Sequence, residues 1–210
     1  MPWTMPGREP VVQDGPPRLF TIGHSNVALQ DFLDLLGKHQ IEAIADVRSV
    51  PRSRYVPHFD AERLREALAR CAISYVPLGR ELGGRPEGEE FYDEQGHVLY
   101  GRLAVSSVFH RGIDRVLNGT KSYRVALLCS EEDPSSCHRH LLIGRVLSEC
   151  GVTLLHIRGD GRIEAETDLA ALDTGDGRQA ALFDGGAEER QWRSTRSVLR
   201  GRAPLSSSAH

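Results

Sequence analysis

The sequence has no long apolar run, few cysteines and no excess of positive charge, and each shortage excludes a class of protein. No apolar stretch approaches the roughly eighteen residues that a membrane-spanning helix needs. The four cysteines show no secreted disulfide framework, and no charged leader followed by an apolar run opens the sequence. With a formal net charge of −3 the chain has no overall positive field that would attract nucleic acid, so only a local basic patch could bind it. We therefore expect a reduced, cytoplasmic protein with no membrane partner.

The composition predicts one folded domain between two polar ends. A chain of 210 residues with 40% hydrophobic content can bury a core of its own. Residues 1–17 are rich in proline and glycine, and residues 166–210 are polar and close on serines. We predict flexible segments there and an α/β domain over residues 18–165.

Short apolar runs alternate with amphipathic stretches along this domain. The runs cover residues 18–22, 41–47, 73–78, 123–129 and 152–157. Nearly continuous runs of this length are typical of parallel strands buried on both faces. Helical spacing predicts helices over residues 29–39, 60–72, about 101–117 and 138–150. The alternation predicts a three-layer α/β sandwich with a mainly parallel, roughly five-stranded, Rossmann-like sheet.

Each predicted strand is followed by reactive or conformationally special residues. The clusters read GHSN, DVRSVPRSRY, LGRELGGR, CSEEDPSSCHR and RGDGR in chain order. The carboxyl ends of parallel strands share one edge of a sheet, and ligands bind in the crevice there. Loops begin at strand ends and are polar in any case, so a single cluster would carry little weight. Five clusters together predict a binding crevice.

The first two clusters contain candidate anion-binding groups. His24 is a candidate acid/base, unless it only bonds backbone. Ser25 or Asn26 is predicted to cap the next helix so that backbone N–H groups face the crevice, and Ser25 is a candidate anion ligand. The pattern is not GxGxxG, which argues against a dinucleotide fold.

The second cluster begins with Asp46 and Arg48, which lie two residues apart and so on one face of a strand end. Asp46 is a candidate acid/base. The arginines Arg48, Arg52 and Arg54, with the aromatic residues Tyr55 and Phe59, could hold a phosphate and stack a base, and Ser53 is a further candidate anion ligand. Alternatively, Asp46 and Arg48 only pair and stiffen the loop.

The fourth cluster places two cysteines, a histidine and an arginine within eleven residues. A capping residue and a proline predict a helix start that puts Cys137, His138 and Arg139 in or near the first turn. The helix dipole and neighbouring cations favour a thiolate, which makes Cys137 a candidate nucleophile. Glu131 is a candidate acid/base, and His138 and Arg139 are candidate anion ligands.

The two cysteines allow other interpretations. A Cys-x5-Arg phosphate loop is excluded, because Ile143 and Ser135 occupy the positions that would need arginine. A zinc site would need two ligands beyond Cys129 and Cys137 and no CxxC is present, so we predict no metal and no cofactor. A disulfide lacks support in a cytoplasmic protein, and Cys129 could simply end a buried strand.

Together, TIGHSN, DVRSVPRSR, LGRELGGR and LLCSEEDPSSCHRHLL resemble the domain of unknown function family 488, over about residues 18–160. The resemblance implies a compact α/β domain but supplies no reaction. It carries the family's motif positions onto Thr21, Gly23, His24, Ser25, Asp46, Arg48, Pro51, Ser53, Leu82, Gly83, Gly84, Cys129, Glu131, Cys137, His138 and Arg139.

The polar tail contains Gln179, Leu182 and Phe183 in a Gln-x-x-Leu-Phe pattern. This pattern is similar to the short peptide by which bacterial replication and repair proteins dock on the sliding clamp, a candidate partner. A glutamine amide and two apolar anchors on a flexible tether can fill a groove, although the anchors could instead pack on the domain. The basic stretch RQWRSTRSVLRGR that follows favours a nucleic-acid partner.

The first functional hypothesis is an enzyme that acts on a phosphate-bearing nucleotide or nucleic-acid substrate, by hydrolysis or group transfer at a base or glycosidic bond. The second is a non-catalytic nucleotide or nucleic-acid binding module that its tail recruits to a partner. The third is a metal-binding or redox-sensing thiol protein.

Overall fold

The chain folds around a sheet of six strands within the described residues, five of them parallel. We describe residues 15–175 and 192–197 of a computed structural model, with side chains up to residue 172 in the first range. The strands are β1 (Arg18–Gly23), β2 (Ala43–Asp46), β3 (Ser74–Pro77), β4 (Val125–Cys129), β5 (Thr153–Ile157) and β6 (Ile163–Ala165). Their order across the sheet is β3-β2-β4-β1-β5-β6, and β6 pairs antiparallel with β5.

Helices pack on both faces of this sheet. They are α1 (Leu29–Lys38), α2 (Ala61–Arg70), α3 (Gly79–Leu82), α4 (Tyr100–Ala104), α5 (Ser107–Thr120), α6 (Arg145–Glu149) and α7 (Glu166–Gly175). Phe32 of α1 and Leu64 of α2 share a buried cluster with Phe20 of β1, whereas Phe109 of α5 shares the opposite cluster with Leu19. Successive strand residues point to opposite faces, so β1 is buried on both. The predicted α/β fold with a mainly parallel sheet is confirmed.

The boundaries differ from the prediction in two places. The single helix predicted over residues 101–117 is broken into α4 and α5, because Ser106 caps α5 by accepting a hydrogen bond from the Phe109 amide at 3.2 Å. The helix after β4 opens with a π-helical turn, Arg139–Gly144, before α6. Single π-helical turns inside α-helices occur frequently at functional sites.

The structure also contains three strands and helices that the sequence did not predict, namely α3, β6 and α7. Helix α7 lies in residues that the sequence assigned to a flexible polar tail. It is held to the domain because Leu169 is buried and Glu166 forms buried hydrogen bonds with two histidines. No helix in the described part of the chain has the length and apolarity that crossing a membrane requires.

A segment near the carboxyl terminus also packs on the domain. The Trp192 indole N–H donates to the Leu141 carbonyl at 2.9 Å, and the Arg145 guanidinium lies 4.4 Å from the indole ring centre. Ser194 exchanges two 2.9 Å hydrogen bonds with the backbone of Val98. The chain is therefore fixed to the domain both at α7 and at residues 192–194.

Candidate functional site

The segments after β1, β2 and β4 meet at one edge of the sheet. The strand order places β4 between β2 and β1, so the carboxyl ends of these three strands are neighbours. Backbone hydrogen bonds continue past the strands: the His24 amide donates to the Cys129 carbonyl at 3.1 Å, and the Val47 amide donates to the Leu128 carbonyl at 3.1 Å. The three predicted clusters after these strands are thereby brought together.

Asp46 and Arg48 form a buried ion pair at this edge. The Asp46 carboxylate accepts hydrogen bonds from Arg48 Nε at 2.8 Å and Nη2 at 2.6 Å, and the Tyr75 hydroxyl donates to it at 2.6 Å. Arg48 Nη1 donates to the Phe59 carbonyl at 2.9 Å. The pair is a rigid unit whose charges largely satisfy each other, and its role in acid/base work or anion binding stays a prediction.

His24 completes this unit as a neutral ring. Its Nδ1–H donates to the Ser25 carbonyl at 2.8 Å, which leaves Nε2 to accept from Arg48 Nη1 at 3.1 Å. The ring stacks on Phe59 with centroids 4.2 Å apart. Burial lowers the pKa of His24 to about 4, so the ring carries no charge near neutral pH. In this geometry His24 orients Arg48.

Cys129, Cys137 and His138 form a second buried group, which we call the thiol cluster. The Cys137 thiol donates to the Cys129 sulfur across 3.2 Å, and His138 Nδ1 lies 3.8 Å from Cys129 Sγ and 3.7 Å from Cys137 Sγ. Cys129 ends β4 and Cys137 stands just before the following helix. Gly84 makes room for the imidazole, because a Cβ there would lie 2.9 Å from His138 Nδ1.

The two thiols of this cluster differ in acidity. The hydrogen bond from Cys137, together with the nearby His138 and Arg139, holds the pKa of Cys129 well below that of a free thiol. Burial and the Cys129 charge raise the pKa of Cys137. Burial alone would lower the pKa of His138, but the Cys129 charge raises it. The sequence favoured Cys137 as the thiolate, whereas the geometry favours Cys129.

Arg139 lies beside the thiol cluster with its side chain 0% exposed. Its Nη2 donates to the Glu132 carbonyl, while Nε and Nη1 have no hydrogen-bond partner among the described residues. The space is closely filled on the β1 side, since a Cβ at Gly23 would lie 1.6 Å from the Glu131 carbonyl oxygen and 2.7 Å from Arg139 Nη1. Glu131 itself is exposed at the rim.

The helix cap predicted at Ser25 is wrong. Helix α1 begins at Leu29, and Ala28 precedes it without any side-chain cap. Ser25 instead has a left-handed backbone, with φ of 44°, and its amide donates to the Ser130 carbonyl at 2.8 Å. A non-glycine residue in this conformation is uncommon and is enriched at functional sites. Ser25 therefore stays a candidate ligand because of its position in the loop after β1, and not as a helix cap.

Ser53 and Tyr55 lie in the loop after β2. The Ser53 hydroxyl accepts hydrogen bonds from the Tyr55 and Val56 amides at 3.2 and 3.3 Å, so it shapes the loop. The Tyr55 side chain is 84% exposed and is stacked under the Arg54 guanidinium, 5.6 Å from its ring centre. An exposed aromatic beside an arginine suits base stacking, which remains a prediction.

Sequence reasoning missed two contributors near this edge. Tyr75 was counted only as a strand residue, yet its hydroxyl holds Asp46. The second is a buried chain in which the Glu166 carboxylate bonds His140 Nδ1 and His156 Nε2, each at 2.8 Å, and Thr21 bonds the other nitrogen of His156 at 2.7 Å. A histidine in the middle of an apolar strand run was the one available signal for it. The predicted clamp-binding residues Gln179, Leu182 and Phe183 lie outside the described residues.

Comparison with known proteins gives a family but no activity. No curated protein matches the chain. The family model described as "Domain of unknown function DUF488" matches residues 28–146. This range contains the ion pair, the thiol cluster, Glu131 and Arg139, and it begins just after the TIGHSN cluster. Since the match covers more than half of the 210 residues, the chain belongs to the DUF488 family of domains of unknown function.

Proposed function

We propose that this protein is an enzyme that acts on a phosphate-bearing nucleotide or nucleic-acid substrate, by hydrolysis or group transfer, at the carboxyl edge of its sheet. The observation that carries the proposal is Arg139, a fully buried cation with two nitrogens that no described residue satisfies. A buried charged group without partners costs folding free energy, so an anion that accepts its hydrogen bonds would bind there favourably. The planar guanidinium matches the oxygens of a phosphate.

The neighbours of Arg139 supply the rest of the proposed site. The thiol cluster and the rim carboxylate of Glu131 are the groups for nucleophilic or acid/base work. The neutral His24 and the Asp46–Arg48 pair hold the adjoining loop, and Tyr55 offers an exposed ring for a base. Open α/β sheets bind their ligands at the carboxyl ends of the strands, which supports this location for the substrate.

Ligand-induced stabilisation tests the proposal. The full chain is mixed with inorganic phosphate, a nucleoside, its monophosphate and a single-stranded oligonucleotide, and the melting temperature is measured for wild type, Arg139→Gln and Arg70→Gln. Arg70 has an exposed side chain at the far end of α2, so it is the matched control. Phosphate-bearing ligands should stabilise wild type and Arg70→Gln, by about 2.7 kcal/mol at 100 times the dissociation constant, but not Arg139→Gln. Equal stabilisation of both variants, or none of wild type, would remove the basis of the proposal.

A non-catalytic binding module is the second candidate, and one observation favours it. Three of the four candidate catalytic residues already have partners: Asp46 with Arg48, His24 with Arg48, and Cys137 with Cys129. Glu131→Gln separates the two functions. Under the enzyme proposal this variant binds phosphate-bearing ligands normally but loses turnover, whereas a binding module would keep its full cellular function.

The tail peptide gives a separate partner proposal. We propose that Gln179, Leu182 and Phe183 bind a bacterial sliding clamp, which would bring the domain to DNA. Binding of the full chain to purified clamp should be lost on Phe183→Ala and kept on Phe91→Ala, which changes a phenylalanine of the domain. Equal clamp binding by wild type and Phe183→Ala would contradict it.

A further inference from the structure

The thiol cluster has the donors and spacing of a metal centre. Cys129 Sγ, Cys137 Sγ and His138 Nδ1 all lie within 4.8 Å of one another. His138 Nδ1 is nearly equidistant from the two sulfurs, at 3.8 and 3.7 Å, as a shared central ion would require. We propose that Cys129, Cys137 and His138 bind one Zn²⁺ ion. This assignment goes beyond the proposed function and replaces the prediction, made from the sequence, that the chain has no metal site.

The distances between the donors support this assignment. With Zn–S bonds of about 2.3 Å and Zn–N bonds of about 2.0 Å, tetrahedral geometry separates two sulfurs by about 3.8 Å and a sulfur from a nitrogen by about 3.5 Å. The two S···N distances of 3.8 and 3.7 Å lie close to these values, whereas the S···S distance of 3.2 Å is about 0.6 Å shorter, so the two sulfurs would move apart when the ion binds. A disulfide is a poorer fit, because its S–S bond is about 2.05 Å long.

Burial and donor chemistry select the kind of ion. Cys129 is 6% exposed and Cys137 is 0% exposed, so two thiolates alone would be an unfavourable buried charge. A divalent cation neutralises both. Thiolate and imidazole together favour zinc over magnesium or calcium, which prefer oxygen ligands.

The number of protein ligands indicates a reactive centre. Among the described residues, the group of cysteine, histidine and acidic donors at this place has three members. Structural zinc sites use four protein ligands, whereas catalytic ones use three and bind water or substrate in the fourth position. Arg139 lies beside the cluster with two unpartnered nitrogens, so an anionic ligand or a metal-bound hydroxide at the fourth position would have a cation near it.

The His140, Glu166 and His156 group also has metal-ligating side chains close together. There each carboxylate oxygen lies at 2.8 Å from an imidazole nitrogen, which is the length of a hydrogen bond. These groups satisfy one another as hydrogen-bond partners, so we assign no ion to them.

Metal content tests the site without any substrate, so its failure is distinct from failure of the proposed function. The full chain is purified under reducing conditions, incubated with Zn²⁺ and desalted, and bound zinc is measured by mass spectrometry. We expect about one ion per wild-type chain and at least a tenfold lower zinc content in Cys129→Ser and in His138→Asn, because each variant removes one of the three ligands. The matched controls, Cys71→Ser and Cys150→Ser, change exposed cysteines and should keep the ion. A wild-type chain that retains no zinc, or equal loss in the controls, would overturn the assignment.

Two measurements on the wild-type chain keep the test valid if a variant does not fold. Replacement of zinc by Co²⁺ should give a thiolate-to-cobalt charge-transfer absorption and the intense visible bands of four-coordinate cobalt. Titration with a mercurial should release zinc only as the two buried thiols react, after the two exposed ones. Absence of the charge-transfer absorption, or an intact mass two hydrogens lighter because of a Cys129–Cys137 disulfide, would contradict the site.

Discussion

At the scale of single residues, the site depends on positions where no additional atom fits. Gly23 is the clearest, because its missing Cβ lets the chain after β4 pass against β1. Gly23→Ala should destabilise the fold by at least about 1–3 kcal/mol, since the backbone of Glu131 cannot yield as a flexible side chain would. Gly37→Ala is the control: nothing lies within 4 Å of its Cβ position in α1, so we expect stabilisation of about 0.5–1 kcal/mol. Urea unfolding measures both, and equal effects would contradict the packing described for Gly23.

The buried ion pair gives a second prediction at this scale. Asp46→Asn should lower the free energy of unfolding by about 3–5 kcal/mol, because it leaves the Arg48 guanidinium buried without its counter-charge. Glu66→Gln removes a carboxylate that lies 3.8 Å from Arg70 on the exposed face of α2, and it should change stability little. Urea midpoints at pH 7 provide the comparison. If the two variants lost similar stability, the pair would not be the buried unit that we describe.

How far the candidate site could be predicted is also decided by particular residues. That His24, Asp46, Glu131 and Cys137 share one edge follows from parallel strands alone. Which of the two thiols is more acidic could not be predicted in this way, because it depends on a 3.2 Å hydrogen bond from Cys137 to Cys129 at the end of β4. Ser25 was misjudged for a related reason: local capping preference is weak, and the hydrogen bond to the segment after β4 sets its backbone instead.

At the scale of elements, strands with long apolar runs could be predicted from the sequence, whereas short polar elements could not. Strands β1 to β5 were predicted because each is a nearly continuous apolar run. The three-residue strand β6 has no such pattern, and it forms because the edge of β5 is there to pair with it. Helix α7 likewise has little apolar periodicity and is held by its contacts with the domain.

The contact that holds α7 should make stability depend on pH. Burial lowers the pKa of His156 from its ordinary value of 6.5, so below that pH the unfolded chain binds a proton that the folded chain excludes. Burial raises the pKa of Glu166, but hydrogen bonds from His140 and His156 outweigh burial and lower it. Protonation of Glu166 therefore costs further stability at lower pH. The free energy of unfolding should therefore fall as the pH falls below about 6.5.

Histidine variants separate this effect from general acid unfolding. His156→Gln should make stability depend less steeply on pH between 7 and 5, although the variant is less stable at pH 7. His110→Gln changes an exposed histidine on α5 and should keep the wild-type slope. Urea unfolding across this pH range measures the slopes. An unchanged slope in His156→Gln would show that other groups cause the acid sensitivity.

At the scale of the whole molecule, residues 192–194 pack on the domain, although the sequence predicted a flexible tail over residues 166–210. Helix α7 and residues 192–194 both pack on the domain, and the predicted clamp peptide lies between them in the sequence, outside the described residues. The return of the chain to the domain at Trp192 was not predicted, because a short polar segment has no periodicity that would indicate packing.

Trp192 makes three of the contacts that hold residues 192–194 to the domain. Trp192→Ala removes the hydrogen bond to Leu141, the Arg145 contact and the edge contact with Tyr100, so we expect a loss of roughly 2 kcal/mol in stability. Trp192→Phe keeps a ring and should lose about 1 kcal/mol. Trp3→Phe, which changes the tryptophan outside the described residues, is the matched control. Thermal unfolding followed by circular dichroism measures these losses, and cleavage by a protease after residue 175 should become faster only in the Trp192 variants. If Trp192→Ala melted and was cleaved like wild type, residues 192–194 would not anchor the chain.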